Sequence, residues 1–329
     1  AFFVLWPLVL PSDAVIRFLF LPFAIGTMAV AGLVLVRWLS ARLDITLHWY
    51  EQAALAALIV AGGANRGAIW RGQTAALAVL LGALALYWSR RRPAAAAAAL
   101  ALCAYKPHVA IGFGLAILLT ERRSIVAWAL AGVAAMSVLF SVSIGQSPID
   151  VFDLYFRSLV TIYDGPDRVR GLLSIRWVIE DRLGSYRLAT TLYAALAVST
   201  LALICLAAYR RRDPAGQLTA AVACLLWPLL FLPNQLYHGV LAWPAVWLIM
   251  WPESGIVRHR VARFALVAGY ILFSVFDLPR AIRLTAGPDT EIALSSYLLS
   301  PLRLAILFAL ILYALSARRV PDATAPNVS

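Results

Sequence analysis

The sequence predicts an all-α fold: a polytopic bundle of transmembrane helices, with about nine spans and one short helical hairpin at 93–120, forming a single integral membrane domain over 1–329. Three observations predict it. Of the 329 residues, 63% are hydrophobic and 13% charged, with a mean hydropathy of +0.84, whereas a soluble domain is about 45–50% apolar and about 25% charged. Apolar runs close to the roughly 20 residues that a span requires recur along the chain. The 27 arginines and single lysine behind the net charge of +12 punctuate the ends of those runs instead of forming a basic face, as cytoplasmic loops do. No water-soluble core of this size absorbs so much apolar surface, and a backbone in lipid must satisfy its own hydrogen bonds within helices or a closed barrel. A soluble enzyme, a disordered chain, a disulfide scaffold and a nucleic-acid binder are therefore excluded.

Residues 1–10 are apolar but too short to cross, and Pro11 closes them. The chain opens on Ala1 without the charged segment or cleavage site of a signal peptide, so the expectation is a fragment lacking its true N-terminus. The first span, 14–38, ends at Arg37 and Arg42; the second covers 46–63; the third, 72–89, runs into Arg90-Arg91-Arg92. After the hairpin, Arg122-Arg123 opens a span at 124–142, and Arg210-Arg211-Arg212 closes one at 187–209. Further spans are expected at 216–233, at the tryptophan-rich 238–251, at 261–277 after Arg258 and Arg260, and at 301–316 before Arg318-Arg319. A disordered cytoplasmic tail is expected over 317–329. Cys103, Cys205 and Cys224 lie in apolar stretches without metal or disulfide spacing and read as small core residues.

The hairpin follows from the positive-inside rule. Between Arg92 and Glu121 lie 28 residues flanked on both sides by cytoplasmic arginines, so one span would violate the rule at one end. Lys106-Pro107 sits halfway along, and proline disfavours helix at the residue before it. Two short helices, 93–104 and 108–120, restore the alternation and put Lys106 at the tip. The outer side then receives 1–13, 64–72, 143–186 and 278–300, joined by the turn at 234–238. The 44-residue loop 143–186 is too long to be idle. Its segment 150–161 alternates apolar and polar at helical spacing, which predicts a helix lying in the interface.

Lys106 is the only lysine in the chain and is surrounded by apolar sequence. An ionisable group at membrane depth is functional by default, and a fixed ammonium suits a phosphate or pyrophosphate; the alternative is a lysine snorkelling to the interface. Gly72-Gln73 opens the third span after Arg66 and Arg71, and Gln73 serves either a ligand hydroxyl or a neighbouring helix. Arg157, Arg168, Arg170, Arg176, Arg182 and Arg187 crowd the outer loop. They suit a lipid phosphate, which arginine meets bidentately, or anionic headgroups in general. The loop acids Asp150, Asp153, Asp164, Asp167, Glu180 and Asp181 are general-base candidates or partners of those arginines. Asn234, Gln235, Tyr237 and His238 form a polar run between two spans, and polar groups in lipid need partners. His238 is either a donor to a phosphate or hydroxyl, or a structural histidine.

In order, Arg71-Gly72-Gln73, an apolar helix, Arg90-Arg91-Arg92, a small-residue helix, Tyr105-Lys106-Pro107 and a helix ending in Glu121-Arg122-Arg123 resemble glycosyltransferase family 87. The resemblance covers most of 1–250 and is strongest over 66–123; the proline-bearing opening Phe2 to Pro11 is also similar. It implies a helical bundle of GT-C type and a hexosyltransferase, mannosyltransferase-like, that takes its sugar from a polyprenyl phosphate. Lys106, His238, Arg168, Arg170 and Arg176 would then bind the donor phosphate, and Gln73, Arg71, Asn234 and Tyr237 the sugar or acceptor. The implied partners are membrane lipids, a polyprenyl-phosphate-linked sugar and a glycolipid or glycan acceptor, with no nucleic acid. The implied location is the plasma (inner) membrane, with the site facing outside. No cofactor is implied, and no ligand cluster in the sequence calls for a metal. Leu5-Trp6-Pro7 stands where the family carries Tyr-Pro-Pro. The family's catalytic aspartate follows its first transmembrane helix, so the expected base precedes Ala1 and no catalytic residue is assigned. A transporter or flippase of a lipid-linked or anionic solute would use the same cations, and a noncatalytic truncated homologue is the third reading.

Overall fold

The computed structural model describes residues 13–62, 74–163, 175–232, 236–275, 281–282, 285–287 and 291–316, and among them there is no strand. Helix α1 (Asp13–Leu43) rises about 46 Å at 1.5 Å per residue and stops at Asp44, whose φ of +54° a helix cannot continue. The next helix, α2 (Trp49–Ala61), opens with the His48 backbone N–H donating to the Glu51 carboxylate at 2.7 Å. Helix α3 (Ala75–Trp88) ends at Ser89, whose hydroxyl donates to the Leu86 carbonyl at 2.7 Å.

The expected hairpin is present as α4 (Pro93–Cys103) and α5 (Pro107–Thr120). Each begins on a proline, whose missing N–H costs nothing in the first turn. Then come α6 (Arg123–Ser143), α7 (Pro148–Tyr163) and α8 (Arg176–Leu183). Gly184 at φ +61° terminates α8 and donates to the Glu180 carbonyl at 3.1 Å. Helix α9 (Tyr186–Arg210) leads to α10 (Pro214–Phe231), whose cap Asp213 accepts the Gly216 N–H at 2.9 Å. A 3-10 turn, Leu236–Ala242, runs into α11 (Trp243–Met250), followed by α12 (Arg260–Val275) and α13 (Glu291–Ser316).

Helices stand at all nine expected span positions, but among the described residues five are long and apolar enough to cross a membrane: Phe20–Leu43, Arg123–Ser143, Arg187–Arg210, Pro214–Phe231 and Leu299–Ser316. The shortfall is one of length. Helices of 13 and 14 residues such as α2 and α3 rise about 20 Å, less than the roughly 30 Å hydrocarbon thickness. Two boundaries also differ from expectation. The expected span 238–251 starts as 3-10 turn, and the last helix begins at Glu291, well before 301. The amphipathic segment of the long loop is helical over Pro148–Tyr163 and leaves Ile149, Phe152 and Leu154 exposed. The tail 317–329 lies outside the described residues.

The centre of the bundle is α10, which carries no charge, has its polar side chains Gln217 and Thr219 in its first turns and is 83% buried, whereas α6 and α9 are 17% and 22% buried and face outward. A helix without a polar stripe belongs in the interior or in lipid, and α10 takes the interior, packed against α5, α9 and α13. Small residues allow the closest contacts, as expected where lipid removes the hydrophobic drive between helices. A Cβ at Gly112 of α5 would lie 3.1 Å from Pro228 Cγ and 3.3 Å from the Cys224 carbonyl on α10. At Gly82 of α3 it would fall 2.0 Å from the Phe113 ring of α5. At one end of the bundle the Arg42 guanidinium contacts the Glu121 carboxylate, Arg90 Nε lies 3.3 Å from the same group, and Arg211 donates to the Ala314 carbonyl at 2.8 Å. The Lys106 tip occupies the opposite end.

Candidate functional site

The hairpin tip is tied to the start of α3, and α3 also touches the 3-10 turn. Lys106 is held by its backbone in both directions: its N–H donates to the Cys103 carbonyl at 3.0 Å, and its own carbonyl accepts from Val109 at 2.9 Å and Ala110 at 3.0 Å. It is thus the N-cap of α5, with φ −118° and ψ 81°, outside the helical region as a residue before proline prefers. The side chain is half-buried, as are Tyr105 and His108 beside it. Such a cap cannot slide along its helix, so the lysine's starting point is fixed.

Two side chains tie this tip to α3. The Tyr105 hydroxyl donates to the Thr74 carbonyl at 2.5 Å, and the Cys103 thiol donates to the Ala78 carbonyl at 3.2 Å. Thr74 immediately follows Gln73 in sequence, so the strut joins the Lys-Pro turn to the chain position next to the Gly72-Gln73 pair. The 3-10 turn carries Tyr237 and His238, and its backbone packs against both α3 and α10. The residues chosen from sequence on 71–73, 106 and 237–238 therefore lie on, or next in chain to, elements that touch one another.

Arg176 opens α8, and the neighbouring Ile175 N–H donates to the Leu230 carbonyl at 3.1 Å, which anchors α8 to the last turn of α10. Arg176 Nε donates to Glu180 Oε1 at 2.7 Å, so its charge is answered within its own helix. Arg157 pairs with Asp153 in the same way at 2.7 Å. Two loop acids are thus arginine partners. Arg71, Gln73, Arg168, Arg170 and Asn234 lie outside the described residues, as do the side chains of Tyr237 and His238. Among the described residues no three His, Cys, Asp or Glu side chains gather as a metal site.

Two structural contributors carry no role in the sequence reading. Tyr105 had a visible signal, because a tyrosine hydroxyl in an apolar stretch needs a partner. Arg303, a lone charge inside the last span, had one too.

A family model described as Glycosyltransferase family 87 matches residues 1–233. The chain belongs to glycosyltransferase family 87. The match takes in the hairpin, its strut to α3 and all of α10, and ends before the 3-10 turn and α11–α13. Family 87 membership makes this protein a membrane glycosyltransferase, in keeping with its five span-length apolar helices. No curated protein and no solved structure matches the chain.

Proposed function

We propose that this family 87 protein is a hexosyltransferase that moves a sugar, mannose first among candidates, from a polyprenyl-phosphate donor to a glycolipid or glycan acceptor at the outer face of the plasma membrane. The observation that carries this reading is the Tyr105–Thr74 hydrogen bond, which ties the turn bearing the chain's only lysine to the residue that follows Gly72-Gln73 in sequence. In the proposed reaction the bond between the anomeric carbon and the donor phosphate oxygen breaks. The acceptor hydroxyl oxygen bonds to that carbon and gives its proton to a general base. Both bonding electrons leave with the phosphate, so negative charge develops there and a preorganised cation lowers the barrier. Lys106 supplies that cation, with His238, Arg168, Arg170 and Arg176 as further contributors. Gln73, Arg71, Asn234 and Tyr237 orient the sugar or acceptor by hydrogen bonding. The donor brings its own leaving group, so this reaction uses neither a nucleotide nor a redox cofactor. In this arrangement α7, with its exposed Ile149, Phe152 and Leu154, lies in the outer interface.

The test compares Lys106→Ala with Arg318→Ala in full-length protein reconstituted in proteoliposomes with polyprenyl-phosphate mannose and lipid acceptor. Removing one preorganised donor in other enzymes lowers turnover about 10²–10³-fold, and a loss of that order is expected for Lys106→Ala alone. Equal activity in the two variants would take Lys106 out of the mechanism. Movement of the lipid-linked sugar without any new glycosidic bond would replace transfer with transport.

A further inference from the structure

Arg303 lies within the last span, Leu299–Ser316, on α13, which packs against α10. Its guanidinium carbon sits 5.4 Å from the Tyr270 ring centre and 4.8 Å from that of Phe273, and Nη1 donates to the Ser274 hydroxyl at 3.0 Å. Its Nε is buried and has no hydrogen-bond partner among the described residues. A cation within a span is costly and marks a ligand path or a polar interior. Here two aromatic faces of α12 hold it by cation–π attraction, which stops the side chain from snorkelling freely to water.

A groove of about 270 Å³ adjoins it between α11, α12 and α13, lined by Val246, Ile249, Leu266, Gly269, Ile306 and Leu310 among others. Among the described lining residues Arg303 is the only charged one, and none is a carboxylate. Ile306, Leu307 and Leu310 follow Arg303 at helical spacings of three, four and seven, so the apolar wall continues about 10 Å along α13 from the guanidinium. The helix runs on N-terminal to Leu299 as far as Glu291, and the slot follows α13 from the guanidinium toward Leu310. Ile306, half exposed, opens the groove laterally.

We propose that this groove holds one acyl chain of a resident anionic phospholipid whose phosphate bonds to Arg303. Positive charge at one end, an apolar slot leading away from it and no carboxylate among the described lining residues complement a lipid phosphate and its chain. The occupant is a second lipid, distinct from the sugar donor. Lys106 heads α5 and Arg303 lies within α13, two helices that both pack against α10, so the proposal concerns a phosphate other than one held at Lys106. The groove also lies beyond the residues matched by the family, and the inference stands apart from the transfer reading.

The experiment uses full-length protein in nanodiscs of phosphatidylcholine, with trace phosphatidylglycerol carrying a diazirine on its acyl chain, and maps the labelled peptides after irradiation. Labelling concentrated in 260–275 and 301–316 is expected. It should exceed that from a phosphatidylcholine probe at least tenfold, and unlabelled phosphatidylglycerol should displace it. Arg303→Gln should lower it at least tenfold. Ile306→Trp, which fills the slot and keeps the charge, should do the same and serves if Arg303→Gln fails to fold. Equal labelling by the two headgroups, unchanged labelling in a folded variant, or displacement by polyprenyl phosphate but not by phosphatidylglycerol would overturn the proposal. Each readout is independent of sugar transfer.

Discussion

Replacing Gly82 by alanine probes the contact that sets the hairpin against α3. The added Cβ would fall 2.0, 2.3 and 2.6 Å from Cδ2, Cε2 and Cγ of the Phe113 ring, whereas carbon atoms rest at about 3.5–4.0 Å. Phe113 is fully buried, so relief requires either a strained rotamer or a separation of α3 and α5 by more than about an ångström. Overpacking of this kind costs about 1–3 kcal/mol, and the depth of the overlap favours the upper end. Phe113→Ala alone should cost about 3–5 kcal/mol through cavity formation. In that background the added methyl meets empty space, and Gly→Ala in a helix interior is worth up to about 1 kcal/mol in the stabilising direction. The same substitution should therefore reverse sign between the two backgrounds. Reversible unfolding in mixed micelles titrated with sodium dodecyl sulfate, followed by circular dichroism, measures all four corners of the cycle. A neutral Gly82→Ala in the parent protein, or equal destabilisation in both backgrounds, would show that the ring does not rest on Gly82.

Three other substitutions follow from the same structure. Tyr105→Phe removes the strut to Thr74, but the Thr74 carbonyl keeps the N–H groups of Leu77 and Ala78 at 3.1 and 3.4 Å. The expected loss is therefore that of one net hydrogen bond, about 0.5–1.5 kcal/mol in unfolding, together with a fall in kcat as the Lys106 turn is released; full turnover would refute the positioning role. Glu121→Ala strands Arg42 in the bundle end where the carboxylate is 4% exposed, which should cost about 3–5 kcal/mol. Arg90→Ala, with its side chain 63% exposed, should cost under about 1 kcal/mol; the reverse order in micellar unfolding would contradict the buried contact. Asp213→Ala deletes the cap of α10 and should cost about 0.5–2 kcal/mol, with Asp213→Ser recovering most of it in the same assay.

The hairpin was legible because two signals agreed: arginines on both flanks forbade a single crossing, and Lys106-Pro107 supplied the break. The helices found, Pro93–Cys103 and Pro107–Thr120, match the expected 93–104 and 108–120 to within a residue. Hydropathy did not distinguish α10 from α6, since core and lipid are equally apolar solvents for a side chain. Only three-dimensional packing makes Leu225 interior and Leu139 exterior. Hydropathy also marks more full-length spans than the five found among the described residues, because apolar character extends through loops and caps while helices such as α2 stop, here at Ala61.

The candidate site was legible as a set of residue types and not as a geometry. Lys106 stood out as the chain's single lysine, but its partner in architecture, Thr74, contributes only a carbonyl and leaves no mark in composition. Arg176 reads as a phosphate ligand, and the i,i+4 spacing to Glu180, with which it pairs in the structure, was also present in the sequence. Arg303 interrupts an otherwise apolar 18-residue run. Its significance depends on Tyr270, Phe273 and Ser274 from a different helix, which no local pattern reveals.

The central claim is that the Lys106 tip faces outside and meets the donor phosphate. A cysteine placed at Ala104, half-buried on the hairpin turn, with Cys103, Cys205 and Cys224 replaced by serine or alanine, reports on both parts at once. A membrane-impermeant maleimide should label it in intact cells, and polyprenyl-phosphate mannose should slow that labelling in proteoliposomes. Labelling only in inverted vesicles, or labelling at the same rate with and without the donor, would contradict the account.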